Sequence, residues 1–374
     1  MSVALRKPSD SESFPLEAGG ISATRRHGRG AQTNRSGRYE PVAYEPADDG
    51  WESLADLDAL ATEVQEVPAR RIITRNESPD IGFDRSINPY RGCEHGCVYC
   101  FARPTHAFLG LSPGLDFETK LFAKTNAAQA LERELGEPGY QVRTIAIGTN
   151  TDPYQPIERR YRIMRRILEV LSAANHPVGI VTKSALVLRD LDILKSMAER
   201  GLVKVALSVT TLDRKLARAM EPRASTPDKR LETLKRLADA GVPASVMVAP
   251  VIPGLNDVEI ERILERAAAS GVRQAGYVLL RLPLEIGDLF TEWLHANCPD
   301  RAKRVLSLMR STRGGKLYDA KWGERMTGDG PYAWMIGRRF EIAAERLGLN
   351  QGSVELRTDR FTPPALPGQQ LALF

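Results

Sequence analysis

A chain of 374 residues with 42% hydrophobic side chains can build a sizeable core, as one α/β barrel or as two domains, and this excludes a wholly disordered protein. Its 52 basic and 47 acidic residues leave a net charge of +5, which permits a polyanionic partner without demanding one. No run of about 18 apolar residues reads as a membrane span, no apolar stretch follows Arg6 and Lys7 as in a secretory leader, and four cysteines are too few for a disulfide scaffold; the expected location is the cytoplasm.

Residues 1–70 are rich in Ser, Gly, Arg and Pro without a sustained apolar period, and are expected to be a mostly disordered arm. Five arginines and no acid fall within residues 25–38, which suits a solvated tail or a polyanion-binding arm. A first strand is expected over residues 86–91. Further short apolar runs read as buried strands at 142–148, 178–182, 203–209, 244–251 and 275–282. Between them, apolar residues at helical spacing predict helices over 158–174, 186–200, 227–240 and 257–270, the last two ended by Gly241 and Gly271. Strands alternating with longer amphipathic helices imply a parallel sheet with right-handed crossovers. Six β/α units make the expected fold an α/β partial (β/α)6 TIM-like barrel over 71–284, with its chemistry at the C-terminal strand edge. Residues 285–350 read as a helical extension, broken at Gly314, Gly315, Gly328 and Gly330, that covers the open side. Residues 351–374, with Pro363, Pro364 and Pro367, read as a flexible tail.

Three of the four cysteines fall in eight residues, Cys93-x3-Cys97-x2-Cys100, with Tyr99 before the last. Three thiolates on one short loop can hold three corners of a four-iron cluster and leave the fourth iron open to a ligand. Gly92 and Gly96 allow the backbone to wrap closely. The alternative is a zinc knot completed by His95 or His106, although structural zinc usually draws on two separated pairs and no second pair exists. Cys298 stands alone and reads as a packing residue.

This loop resembles that of the radical S-adenosylmethionine (SAM) superfamily, whose hallmark is Cys-x3-Cys-x-aromatic-Cys. The wider stretch 71–350 resembles the branch related to spore photoproduct lyase, often labelled "DNA repair photolyase", through INPYRGCEHGCVYCFAR, GTNTDPYQPIE, IVTKS, LSVTT, EPRASTP and VAPVIPGLND. The resemblance implies a [4Fe-4S] cluster on Cys93, Cys97 and Cys100. The open iron would chelate SAM, and a one-electron reductant of the flavodoxin or ferredoxin type would drive cleavage to methionine and a 5′-deoxyadenosyl radical. That radical takes a hydrogen atom from the substrate, which requires a dry cavity. Tyr99 then matches the aromatic beside adenine. Asn150 and Asp152, in the turn after the second strand, are candidates for the SAM ammonium. Lys183 and Arg223 are candidates for its carboxylate, and Ser208 for the ribose. The turn at Pro253, Gly254, Leu255 and Asn256 is where backbone nears adenine. Tyr277 and Arg281 on the sixth strand are candidates to face the cavity. Spore photoproduct lyase uses a further cysteine near the second strand; residues 140–158 contain none, which argues against the same reaction and leaves Tyr154 or Tyr277 as conceivable hydrogen donors.

The leading expectation is a radical SAM enzyme acting on DNA or another nucleic-acid substrate in repair or modification; the alternatives are a radical SAM enzyme modifying a peptide, protein or small metabolite, and a non-catalytic iron–sulfur protein. The chain ends Gln370-Leu371-Ala372-Leu373-Phe374 after a Pro-rich stretch, similar to the short peptides that dock bacterial DNA polymerases and repair factors on the sliding clamp. That similarity implies a DNA-associated substrate.

Overall fold

The computed structural model describes residues 21–23, 25–40 and 59–365. Ten strands follow in chain order: β1 (Glu63–Glu66), β2 (Ile73–Arg75), β3 (Arg85–Ile87), β4 (Tyr90–Arg91), β5 (Lys120–Ala123), β6 (Ile145–Ile147), β7 (Val178–Thr182), β8 (Val203–Ser208), β9 (Ala244–Val251) and β10 (Gln274–Leu279). The main sheet has the order β10-β9-β8-β7-β6-β3-β2. Its β3, β6, β7, β8, β9 and β10 are parallel, and β2 closes the far edge antiparallel to β3. The six parallel strands are those expected, and the sheet stays open between β10 and β2, as a partial barrel does. A small sheet, β1-β5-β4, stands beside it.

Eleven α-helices accompany these strands in the described residues: α1 (Asp116–Thr119), α2 (Ala127–Leu135), α3 (Glu158–Tyr161), α4 (Ile163–Ala173), α5 (Leu191–Glu199), α6 (Arg214–Met220), α7 (Pro227–Asp239), α8 (Ile260–Ala269), α9 (Ile286–Asn297), α10 (Pro299–Ser311) and α11 (Gly330–Arg346). The predicted helix over 158–174 is divided at Arg162, whose φ of 50° breaks the spiral. The predicted first strand is likewise divided: β3 stays in the main sheet and β4 turns to pair with β5. Pro89 stands between them and has no N–H to carry one ladder through.

Alternation along the strands separates two faces. Ile87, Ile147, Ile180 and Val205 sit in register and pack outward on the helices. The intervening in-register row, Ser86, Ala146, Gly179 and Lys204, turns to the other face, where the short side chains of Ser86, Ala146 and Gly179 leave space.

The extension does two jobs. α9 and α10 lay Phe290, Trp293, Leu294, Val305 and Met309 against Val98 and Tyr99, while α11 joins the outer layer against α8 and β10 through Phe340 and Ile336. The open side is spanned by the segment before α11. The Leu279 amide donates to Met326 O (2.8 Å), the Gly323 amide donates to Asp80 Oδ1 (2.7 Å), and Arg325 pairs with Asp80 in the β2–β3 connection.

The expectation of disorder over 1–70 does not hold for its described part. Arg29 is buried and donates to Glu118 O (2.8 Å), Leu60 O (2.9 Å) and Thr62 Oγ1 (2.9 Å). The amides of Gly30 and Ala31 donate to the buried Glu118 carboxylate, each at 2.9 Å. Composition misled because this arm is anchored by saturating a buried carboxylate, with a small apolar contact of Ile21, Ala31 and Leu60 on Leu115 and Leu289 beside it. The described part of the tail is also fastened: Arg357 N donates to Gly201 O, Thr362 N donates to Ala174 O, and Phe361 packs on Tyr140 and His176. The clamp-like residues 370–374 lie outside the described residues.

Candidate active site

The cysteine loop leaves β4 and folds over the C-terminal edge of the sheet. Gly92 and Gly96 have φ of 74° and 66°; a Cβ on Gly96 would stand 2.7 Å from Glu118 Oε2. Arg103, fully buried, gathers the loop. It donates to Cys97 O (2.9 Å), Gly96 O (3.3 Å), Pro113 O (3.1 Å) and Gly114 O (2.8 Å), and its charge is met by Glu118 at 2.5 Å. Buried Gln155 clips the other side, donating to Gly92 O (3.1 Å) and accepting the Glu94 amide (2.9 Å).

Cys93 and Cys97 are buried and Cys100 half-buried. Burial pushes all three thiols up, least offset at Cys93, where the Asp152 amide hydrogen-bonds the sulfur. Buried thiolates of this kind require a cationic partner, which iron supplies. Among the described residues no three His, Cys, Asp or Glu side chains converge as a single metal ion would need. A four-iron cube takes its thiolates one per iron, from farther apart, so the loop fits a cluster better than a zinc knot. His106 is engaged elsewhere, with Nε2 2.9 Å from Lys120 O.

Tyr99 lies in a buried network that sequence reasoning missed. Its hydroxyl donates to Glu221, which also pairs with buried Arg230 and accepts Thr210 Oγ1 at 2.6 Å. Glu221 sits in the EPRASTP stretch, where only Arg223 had been singled out. Asp152 is half-buried: Oδ1 accepts Thr182 Oγ1 (2.7 Å) and the Tyr154 amide (2.9 Å), and Oδ2 accepts the Lys183 amide (2.7 Å) with His95 Nδ1 3.3 Å away. Burial alone would raise its pKa; His95, Thr182 and the Lys183 amide outweigh that and hold it at about 2. Both oxygens are thus committed within the protein, which fits a residue that positions the turn rather than one that grips an ammonium. Asn150 is exposed, its amide donating to Asn88 Oδ1 (3.1 Å).

Lys183 stands beside the cysteines, its Nζ 5.8 Å from the Tyr99 ring centre and its charge felt by Cys97 and Cys100. Ser208 is buried at the end of β8, and its carbonyl accepts Arg230 Nη1 (2.9 Å). Arg223 is drawn away from the expected carboxylate role, pairing with Glu94 (3.0 Å) and donating to Gly28 O (3.2 Å). Asn256 is buried and locks the turn after β9, donating to Thr210 O and Pro250 O and accepting the Ile252 amide. Tyr277 faces outward, its ring 4.9 Å from Phe340, and Tyr154 is buried in the same outer core beside Arg189; neither meets the cavity as a hydrogen donor must. A cavity of about 450 Å³ lined by Lys204, Ser245, Met247 and Gly276 lies toward the opposite strand edge, at the far end from the cysteines.

A family model of the radical SAM superfamily matches residues 87–267, with the three cysteines inside it. An uncharacterised protein of Mycobacterium tuberculosis is 40% identical over 230 residues, 61% of this chain and 68% of that one. The chain belongs to the radical SAM superfamily. Members are enzymes that use a [4Fe-4S] cluster and SAM, and this removes the non-catalytic alternative. A radical SAM Nalpha-GlyT isomerase of Pseudomonas phage M6 is 24% identical over 61% of this chain and 46% of its own length. Solved structures of spore photoproduct lyase share the fold: the complex with a dinucleoside spore photoproduct superposes with a TM-score of 0.55 at 17% identity, over 76% of this chain and 80% of that one. No helix of the described residues is long and apolar enough to cross a membrane.

Proposed function

We propose that this radical SAM enzyme acts on DNA, in repair or modification of a nucleotide. Cys93, Cys97 and Cys100 would hold the cluster, which supplies a 5′-deoxyadenosyl radical from SAM for hydrogen abstraction. Tyr99, Lys183, Ser208 and the turns at Gly148 and Asn256 would seat SAM against it. Asp152 would hold the second-strand turn in place, and Glu221 the Tyr99 hydroxyl.

The observation that carries the DNA reading is the charge around the mouth. With Lys183 given to SAM, Arg281 remains beside the cysteine loop on the Phe101 ring, and among the described residues it has no carboxylate within ion-pair distance. An uncompensated cation at the mouth suits a polyanion. The relationship to spore photoproduct lyase and the clamp-like peptide 370–374 point the same way. Through that peptide the sliding clamp is the proposed macromolecular partner, raising the local concentration of enzyme on DNA. The cytoplasm, with a flavodoxin or ferredoxin as reductant, is the proposed setting.

The test is anaerobic reconstitution with dithionite and SAM, scoring 5′-deoxyadenosine with and without damaged or modified DNA. Stimulation by DNA supports the reading. Stimulation by peptide or metabolite pools alone, with none by DNA, would sink it. Clamp binding is scored separately, by comparing the intact chain with one lacking the last five residues; equal behaviour removes the clamp.

A further inference from the structure

The residues on either side of Cys100 are both aromatic, and each ring carries a cation. Lys183 Nζ lies 5.8 Å from the Tyr99 ring centre, and the Arg281 guanidinium lies 4.9 Å from that of Phe101. Tyr99 is buried, whereas Phe101 is 42% exposed, so the second pair faces solvent at the mouth.

Arg281 is poorly satisfied for a half-buried guanidinium. Its Nε is buried with no acceptor, and its one hydrogen bond among the described residues goes from Nη1 to the Met326 sulfur, a weak acceptor, at 3.4 Å. Arg313 lies close behind. It is buried and donates to Glu324 O (2.7 Å) and Leu280 O (3.2 Å), and its own Nε also lacks an acceptor. Among the described residues neither arginine has a carboxylate within ion-pair distance, and the two repel each other. Asp319, whose charge reaches Arg313, pairs with Lys316 at 3.6 Å. Two adjacent guanidinium groups with free donors cost stability unless an anion meets them. The segment holding Met326 and Glu324 is the one that spans the open side of the barrel through Arg325 and Asp80, so the donors stand where that opening meets the cysteine loop.

We infer that Arg281, laid on Phe101 and backed by Arg313, is a phosphate-binding seat for one phosphodiester of a DNA strand entering the site. A guanidinium presents paired donors in a plane that matches two phosphate oxygens, and the exposed part of Phe101 offers a surface on which an unpaired base can stack. The seat rests on the DNA reading above and adds the group that fixes the strand relative to the cluster.

The test uses the reconstituted full-length enzyme and a fluorescent single-stranded DNA oligonucleotide, with affinity measured across a salt series. The R281Q protein should bind about tenfold or more weakly, with the slope of log affinity against log salt smaller by about 0.7 for the one phosphate lost. Iron content and SAM affinity should match those of the unaltered enzyme. R281K keeps the charge and loses the fork; it should retain the salt slope while binding several-fold more weakly. If R281Q loses iron, R281K carries the test, and an R281K protein that binds as tightly as the unaltered one overturns the forked contact. Unaltered affinity and slope in R281Q, with DNA binding present in the parent, overturn the seat alone. A parent enzyme that binds no DNA overturns both the seat and the reading beneath it.

Discussion

Cys97 shows how local chemistry and the loop around it make one device. Its carbonyl is held by Arg103, its sulfur is buried, and its thiol is pushed up by that burial. Cys97→Ala should therefore lose most of about four irons per chain, read by iron analysis after anaerobic purification. Stoichiometric zinc in cells supplied with both metals would contradict this. Lys183 is the second residue whose position predicts a measurable effect. Its amide is tied to Asp152 while its ammonium stays free beside Tyr99 and the cysteines. Lys183→Ala should weaken SAM binding by roughly 1–3 kcal/mol with iron content intact. Unchanged SAM affinity would remove Lys183 from the site. As candidates both residues were legible, Cys97 from the spacing of its loop and Lys183 from the radical SAM resemblance and its place at a strand end. Glu221, Arg230 and Gln155 were not, because nothing local distinguishes a charged or amide residue that folds inward from one that faces water.

At the scale of elements, the cysteine loop, α1 and the N-terminal arm form one assembly centred on the Arg103–Glu118 pair. Both side chains are fully buried, and Glu118 also accepts the Gly30 and Ala31 amides. Glu118→Ala leaves the Arg103 charge buried and unpaired, which should cost about 3–5 kcal/mol in urea unfolding. A gentler test of the arm itself is Gly30→Ala. A Cβ there would stand 1.8 Å from Gly96 O, so the arm must lift from the loop. Trypsin should then cut near Arg25 and Arg26 faster than in the unaltered chain, with the barrel otherwise intact. Equal cutting rates would show that the arm is held by other contacts.

For the whole molecule, acid sensitivity should arise in part at the strand edge opposite the cysteines. His176 is buried between Tyr140 and Phe361; its Nδ1 lies 3.0 Å from Pro177 O and its Nε2 2.9 Å from the Tyr140 hydroxyl, the arrangement of a neutral ring donating from Nδ1 and accepting at Nε2. Burial lowers its pKa from 6.5 to about 4. The unfolded chain therefore takes up a proton first as pH falls below about 6.5. The stability this neutral ring contributes is present at neutral pH, is lost progressively down to about pH 4, and amounts to about 2 kcal/mol between pH 7 and 5. His176→Gln should start less stable and lose correspondingly less over that interval in denaturant unfolding. An identical pH slope in the two proteins would place the acid sensitivity elsewhere.

The β/α alternation was written in the chain because periodicity is local: 178–182 and 244–251 were read as strands and are strands. The cysteine triad was equally plain as a candidate, from its spacing on one short loop. What tertiary structure alone decided is which polar groups point inward and which segments meet. Asp152 and Arg223 are spent on the protein's own amides and carboxylates, Tyr277 turned to the outer layer, and the arm over residues 25–38 lies against the cysteine loop. A hydrogen bond or an ion pair between residues 88 or 245 positions apart, as in Gly30–Glu118 and Asp80–Arg325, leaves no periodic trace in sequence. Hydrophobic alternation determined the sheet, while the burial of a few unlike charges determined how its ends are closed.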